Sequence, residues 1–229
     1  MPLFHRAAPL LPPEDPADWR PQQFGRGGRS ITDAIIEPSW GGVRILAAVV
    51  EGKARLVDEE GEDLSAEFQE VADAIATAAL SPDLILDGFL SIEPTQDLTG
   101  RMALEIQAPT PGKMVAQMMV GDRLARPARP DRYLDPDRPV AFVAVDLLSI
   151  DGTRLLAIPL LERKRLLDGA LTPSDLVRVT PFIRPPIGSF ISTWRNMSFN
   201  EVAYKASNSR YTPNARNDDW SIVPMPPRR

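Results

Sequence analysis

At 229 residues, 43% apolar and 25% charged, the chain can bury a sizeable core as one lobed domain or as two, and no apolar run approaches the roughly 18 residues that would span a membrane. The absence of cysteine excludes disulfides, thiolate metal sites and cysteine nucleophiles. A formal net charge of −5 argues against autonomous DNA binding, because counterion release from phosphates rewards a basic surface.

The N-terminal stretch MPLFHRAAPLLPPEDPADW is broken by prolines and acids, which makes a poor secretory signal, so a cytoplasmic location is expected. Residues 1–30, ending in Gly25-Arg26-Gly27-Gly28-Arg29, read as an extended arm. A phosphate-cradling loop is disfavoured there, since no strand precedes it and no Lys-Ser/Thr follows. Val43 to Val50 reads as a strand, Glu51-Gly52 as a turn and Ala54 to Val57 as the returning partner. Asp58 to Asp63 reads as an acidic, solvated bend. Ser65 is placed to cap a helix whose apolar positions Phe68, Val71, Ala72, Ile75 and Ala79 recur at helical spacing until Pro82 stops it. Leu84 to Ile92 is the next strand.

Residues 93–139 hold a short helix over Met114 to Val120 and then a nearly neutral Arg/Asp/Pro loop. Val140 to Leu148 is a continuous apolar strand with one acid, Asp146, and Asp151-Gly152 turns after it. Pro159 suits the first position of a helix running to about Asp168. Leu176 to Ile183 reads as a strand, Phe190 and Trp194 as helical, Glu201 to Ala206 as a strand, Tyr211 to Asn214 as a turn and Trp220 to Val223 as the last strand. Hairpins alternating with separated helices give an α+β class, with an arm over 1–30, a domain over 31–223 and a Pro/Arg tail over 224–229.

Several of these segments carry a family look. Glu37-Pro38-Ser39-Trp40-Gly41-Gly42-Val43-Arg44 is followed by Leu86-Asp87-Gly88, by Phe142 to Gly152 and by Pro159-Leu160-Leu161-Glu162-Arg163-Lys164. Val202 to Pro213 and Asp219-Trp220 follow in turn. In that order and at that spacing they resemble the adenylation domain of ATP-dependent DNA ligases, over about Glu37 to Val223. The resemblance implies an ATP-grasp-like, DNA ligase nucleotidyltransferase fold, with antiparallel sheets flanked by helices.

It also implies a chemistry that this chain departs from. The family carries Glu-x-Lys-Trp-Asp-Gly-x-Arg, whose lysine attacks the α-phosphate of ATP; here that position is Ser39, and the following aspartate is Gly41. Glu59-Glu60-Gly61 stands for Arg-x-Gly, Phe89 for the glutamate of Asp-Gly-Glu, and Val145 for the aromatic that stacks on adenine. Asn200-Glu201 stands for Glu-Gly, and both lysines of the last Trp-x-Lys-x-Lys are absent after Trp220. The only histidine, His5, lies in the expected arm, away from Ser39.

The remnant pocket is therefore expected to comprise Ser39, Trp40, Arg44, Asp87, Phe89, Asp146 and Lys205, with no catalytic residue and no metal site. Arg44 is read evenly as a phosphate contact or a structural ion-pair partner, Asp87-Gly88 as a turn, and Trp40 and Trp220 as core anchors. The implied cofactors, ATP and Mg²⁺, are left open by these losses. The expected function is an inactive ligase-like scaffold or accessory protein in DNA repair. The alternative is an active ligase component that uses Lys205 or a partner subunit. The family places an OB-fold domain after this one, and either another polypeptide supplies it or no closure occurs. A protein partner is expected; DNA is a weaker candidate, and a membrane is not expected.

Overall fold

The computed structural model describes residues 15–26, 31–91, 140–185, 188–197 and 199–225. The central strands are largely apolar because both of their faces are covered, with Asp87 and Asp146 buried among them. β4 (Asp83–Ser91) and β5 (Ala141–Ile150) pair antiparallel at the middle of a six-stranded sheet. β2 (Val43–Val50) and β3 (Lys53–Asp58) extend it on one side, and β6 (Thr153–Arg154) extends it on the other. β7 (Val177–Val179) runs parallel beside β5. A three-stranded sheet of order β1-β8-β9 combines β1 (Ala34–Pro38), β8 (Glu201–Ala206) and β9 (Trp220–Pro224).

Alternation along the strands assigns each face its cover. Ile45, Ala47 and Val49 meet the apolar stripe of α1 (Gln69–Ala78), formed by Val71, Ala72, Ile75 and Ala78. From the opposite face Leu46, Ile85 and Leu148 pack with Ile35 of the small sheet, with Leu160 of α2 (Leu160–Asp168), and with Trp19, Tyr211 and Trp220. A third cluster joins Ile36, Trp40, Val143, Val145 and Val202 to Ile191 and Trp194 of α3 (Gly188–Asn196). The α+β architecture expected from the sequence is thus a pair of packed sheets with helices on the outside.

Both expected hairpin turns form with positive φ at both central residues, 49° and 76° at Glu51-Gly52 and 50° and 71° at Asp151-Gly152. This mirror-image turn matches the twist of the strands that it joins.

Four local expectations change. Ser65 does not cap α1, which begins after Phe68 with no side-chain cap. Its hydroxyl instead donates to Asp63 Oδ1 at 2.6 Å and accepts from Leu56 N at 2.9 Å, closing the acidic bend onto β3. Pro159 stands one residue before α2, as its N-cap. The strand expected over Leu176 to Ile183 shrinks to β7, although Ile183 still bridges Ile36. Asp87-Gly88 is no turn: it lies within β4 at a register shift, where a Cβ on Gly88 would stand 2.3 Å from the Phe142 ring.

Part of the expected arm is packed onto the domain. Trp19 and Gln22 are buried. Gln23 N donates to Ala215 O at 2.9 Å and Gly25 N to Trp220 O at 2.8 Å, so residues 15–26 run along the small sheet as a strap. His5, Gly27 to Arg29, the Met114–Val120 helix, the 121–139 loop and the last residues of the tail lie outside the described residues.

Candidate functional site

A cleft of about 210 Å³ opens between the two sheets. The small sheet and the turn after β1 contribute Glu37, Ser39, Trp40, Ala203, Lys205 and Ile222; the large sheet contributes Arg44, Phe89 and Val145; Phe24 of the strap and Glu59 also line it. Five of the seven expected pocket residues therefore meet here: Ser39, Trp40, Arg44, Phe89 and Lys205. Asp87 and Asp146 sit behind the cleft, each fully buried.

Three buried ionic groups organise its walls. Arg44 of β2 reaches its diagonal neighbour Asp87 of β4, with Nε to Oδ1 at 3.0 Å and Nη2 to Oδ2 at 2.7 Å. Tyr211 donates its hydroxyl to the same Asp87 Oδ2 at 2.9 Å and accepts from Gln22 N at 2.9 Å, which ties the strap to the pair. Burial alone would lower the Arg44 pKa; Asp87 more than offsets this and holds it raised. Tyr211 has its pKa pushed well up, by burial first and by Asp87 second. Arg44 thus gives Nε and Nη2 to Asp87 while it also lines the cleft.

Asp146 is claimed in the same way, by Arg163 Nε at 2.9 Å and Nη2 at 2.8 Å. The third group is a triad. Glu37 lies opposite Ala203 in the β1–β8 pairing, which makes Lys205 its diagonal neighbour. Lys205 Nζ reaches Glu37 Oε2 at 2.8 Å, and Lys164 of α2 pairs with Oε1. All three are buried, with two ammonium groups to one carboxylate. Burial is the largest influence on Lys205 and lowers its pKa; Lys164 adds to that and Glu37 opposes it.

Trp40 is both anchor and wall. It belongs to the third core cluster, donates its indole N–H to Thr180 Oγ1 at 2.7 Å, and lines the cleft. Trp220 is fully buried, as expected of an anchor, with its indole donating to Ser209 Oγ at 3.1 Å and its ring 4.3 Å from Lys205 Nζ.

The residues do not fit a divalent metal. Asp87 and Asp146, the matched acids, each spend both oxygens on an arginine, and among the described residues no group of three or more His, Asp or Glu could hold an ion.

A model of the ATP-dependent DNA ligase domain matches residues 29–222, nearly the whole described fold. The chain belongs to the ATP-dependent DNA ligase domain family. Within that family it is 28% identical to a probable DNA ligase of Koribacter versatilis over 183 residues, covering 79% of this chain and 27% of that protein. It is 25% identical to the multifunctional non-homologous end joining protein LigD of Mycobacterium bovis over 194 residues, 84% of this chain and 22% of that one. The chain thus spans about a quarter of the length of these ligase relatives. The ligase domain of Mycobacterium tuberculosis LigD superposes with a TM-score of 0.62 at 22% identity, over 92% of this chain and 60% of that one. A mycobacterial DNA ligase D complexed with ATP and MES gives 0.61 at 20%, over 92% and 61%. These two likenesses establish the ligase fold.

Sequence reasoning passed over three residues that shape this site. Glu37 and Lys164 stood inside the quoted ligase motifs but received no role, although a buried lysine needs a carboxylate and Glu37 is the acid nearest Ser39 in sequence. Phe24 carried no signal, because its place at the cleft depends on the strap's docking.

Proposed function

We propose that this chain is a catalytically inactive member of the ligase family, serving as a scaffold or accessory protein in DNA repair. The observation that carries the reading is the state of the cleft where the family's nucleophile stands. Ser39 is buried there with no histidine among the residues lining the cleft, and a serine hydroxyl without an adjacent base is a poor nucleophile. Around it both cations that line the cleft are already matched to a carboxylate, Arg44 to Asp87 and Lys205 to Glu37. Nucleotidyl transfer depends on positive charge aimed at phosphate oxygens, and cations held this way are not available for it. The repair setting comes from the relatives, one of which is named for non-homologous end joining.

A second reading has one observation in its favour. Lys205 lines the cleft, and its lowered pKa moves it towards the nucleophilic amine form. Against it, Nζ is bonded to Glu37 and covered by the Trp220 ring.

Incubation with ATP labelled on the α-phosphate, with Mg²⁺ or Mn²⁺, followed by denaturation, separates the two. The inactive reading expects no label on the protein, with or without Ser39→Lys, because that change restores the amine but not the phosphate and metal contacts. Label on the unaltered chain that disappears in Lys205→Ala would establish the second reading. Label on Ser39→Lys alone would mean that the rest of the machinery survives.

A further inference from the structure

The strap is not held evenly along its length. Its first part is an anchor: Trp19, Pro21 and Gln22 are buried, and Gln22 N donates to the Tyr211 hydroxyl. Thr212 N donates to Gln22 Oε1 at 2.6 Å, and Arg20 N donates to Asn214 Oδ1 at 2.6 Å. Beyond Gln22 the cover thins. Gln23 and Arg26 are exposed, while Phe24 and Gly25 are half-buried. Two backbone hydrogen bonds hold this part, with Arg216 donating to Phe24 O at 2.6 Å and to Gln23 Oε1 at 2.7 Å. Phe24, tilted against Trp220 with ring centroids 5.8 Å apart, is the one large apolar side chain there. A segment held by surface hydrogen bonds over so little apolar area opens at a fraction of the free energy of the whole fold.

Phe24 also stands between two cavities. One is the cleft, and the other, of about 340 Å³, is lined by Gln23, Gly25 and Arg216. Phe24, Arg44, Glu59 and Ile222 line both. Of these four, Arg44 is fixed in β2, Ile222 in β9 and Glu59 in the bend after β3, so Phe24 is the shared wall that the strap carries. We infer that residues 23–26 are a gate that swings from the anchor at Gln22, so that withdrawal of Phe24 joins the two cavities into one groove from Ser39 to Arg216.

Opening strands no buried charge. The Phe24 ring centroid lies 5.3 Å from the Arg44 guanidinium carbon and 5.9 Å from Lys205 Nζ. Without it, Arg44 keeps Asp87 and the Phe89 and Trp220 rings, at 5.7 and 5.6 Å, and Lys205 keeps Glu37 and Trp220. The backbone groups and the Arg216 guanidinium released by opening pass to water, which offsets most of the hydrogen bonding lost. Closing, in turn, requires a glycine: a Cβ at residue 25 would stand 2.9 Å from both Asn217 O and Asp218 Oδ1.

Hydrogen exchange of the native full chain, followed by NMR and corrected for intrinsic rates, tests the gate. The Gln23 and Gly25 amides should exchange together, at least tenfold faster than Gln22 of the anchor and Ile36 of β1, with rates that low urea hardly changes. Equal protection at all four amides would overturn the proposal, because the strap would then open only with the fold; absence of protection at Gln23 and Gly25 would overturn it too, because no closed state would exist. Gly25→Val should speed Gln23 exchange at least threefold, and an unchanged rate would count against the swing. Phe24→Ala removes the wall without a backbone clash. All four tryptophans are at most 5% exposed, and Trp40 lines the cleft, so this variant should at least double acrylamide quenching of tryptophan fluorescence. Unchanged quenching would show that Phe24 is no partition. Far-ultraviolet circular dichroism of both variants shows that the fold is kept. The gate is independent of the inactive reading, and a covalent AMP adduct would leave it standing.

Discussion

Replacing Asp87 by Asn tests the buried ionic organisation of the site most directly. Asp87 is fully buried, takes two hydrogen bonds from Arg44 and accepts a third from Tyr211. The amide keeps the size but removes the charge, leaving the Arg44 guanidinium buried without its counterion and one former acceptor as an N–H₂ donor. Breaking a buried pair from one side typically costs about 3–5 kcal/mol. At about 2–4 °C per kcal/mol for a domain of this length, Tm should fall by about 6–20 °C. Removing both charges together, as Arg44→Met with Asp87→Leu, should restore stability to above that of Asp87→Asn, since no orphaned charge remains. Urea melts with calorimetry would supply both numbers. As a control, Arg55 and Asp63 pair at 2.7 Å on the surface with side chains 53% and 45% exposed, and Arg55→Ala should cost no more than about 1 kcal/mol. A loss of under about 1 kcal/mol for Asp87→Asn would refute the argument, because the pair would then be solvated or relaxed and Arg44 free to serve a ligand.

Two glycines at positive φ should behave differently. Gly42 has φ of 115° and an added Cβ would lie 1.9 Å from Leu90 O, so Gly42→Ala should destabilise by well over about 1 kcal/mol and disturb the cleft. Gly152, at 71° with nothing within 4 Å, should lose only the about 1 kcal/mol of left-handed strain on the same change; equal losses in urea melts would contradict the packing. Asp63 has its carboxyl held down to about 2, by the Ser65 hydroxyl first and then by Arg55. A depressed carboxyl contributes stability above its unfolded pKa and loses it as pH falls through the folded one. The unaltered chain should therefore weaken between about pH 4 and 2 more than Asp63→Asn does, by an amount made small through exposure to solvent; parallel acid melts check it.

Much of the architecture was legible because it is local or periodic. The strands Val43–Val50 and Glu201–Ala206 keep the bounds read from their apolar pattern, and the turns Glu51-Gly52 and Asp151-Gly152 form where a two-residue step ending in glycine separates two strands. Ser65 misled because a serine before an apolar helix signals a cap only if the backbone turns helical at once; here the bend returns it to β3. Asp87-Gly88 misled because the same dipeptide that suits a turn also suits a strand in which an acid must find Arg44 and a missing Cβ must admit Phe142.

What the sequence determined by itself is the ligase-like order of strands, since that is a property of spacing and identity. Which charge pairs with which, and what lines the cleft, only the tertiary structure decided. Glu37 and Lys205 lie far apart in the chain and become diagonal neighbours through the register of β1 on β8, while Lys164 joins them from α2. Phe24 reaches the cleft because the strap docks along the small sheet through hydrogen bonds to residues near the other end of the chain. Pairing across that separation follows from how packed sheets bring distant segments together, and nothing in the local sequence around Phe24 encodes it.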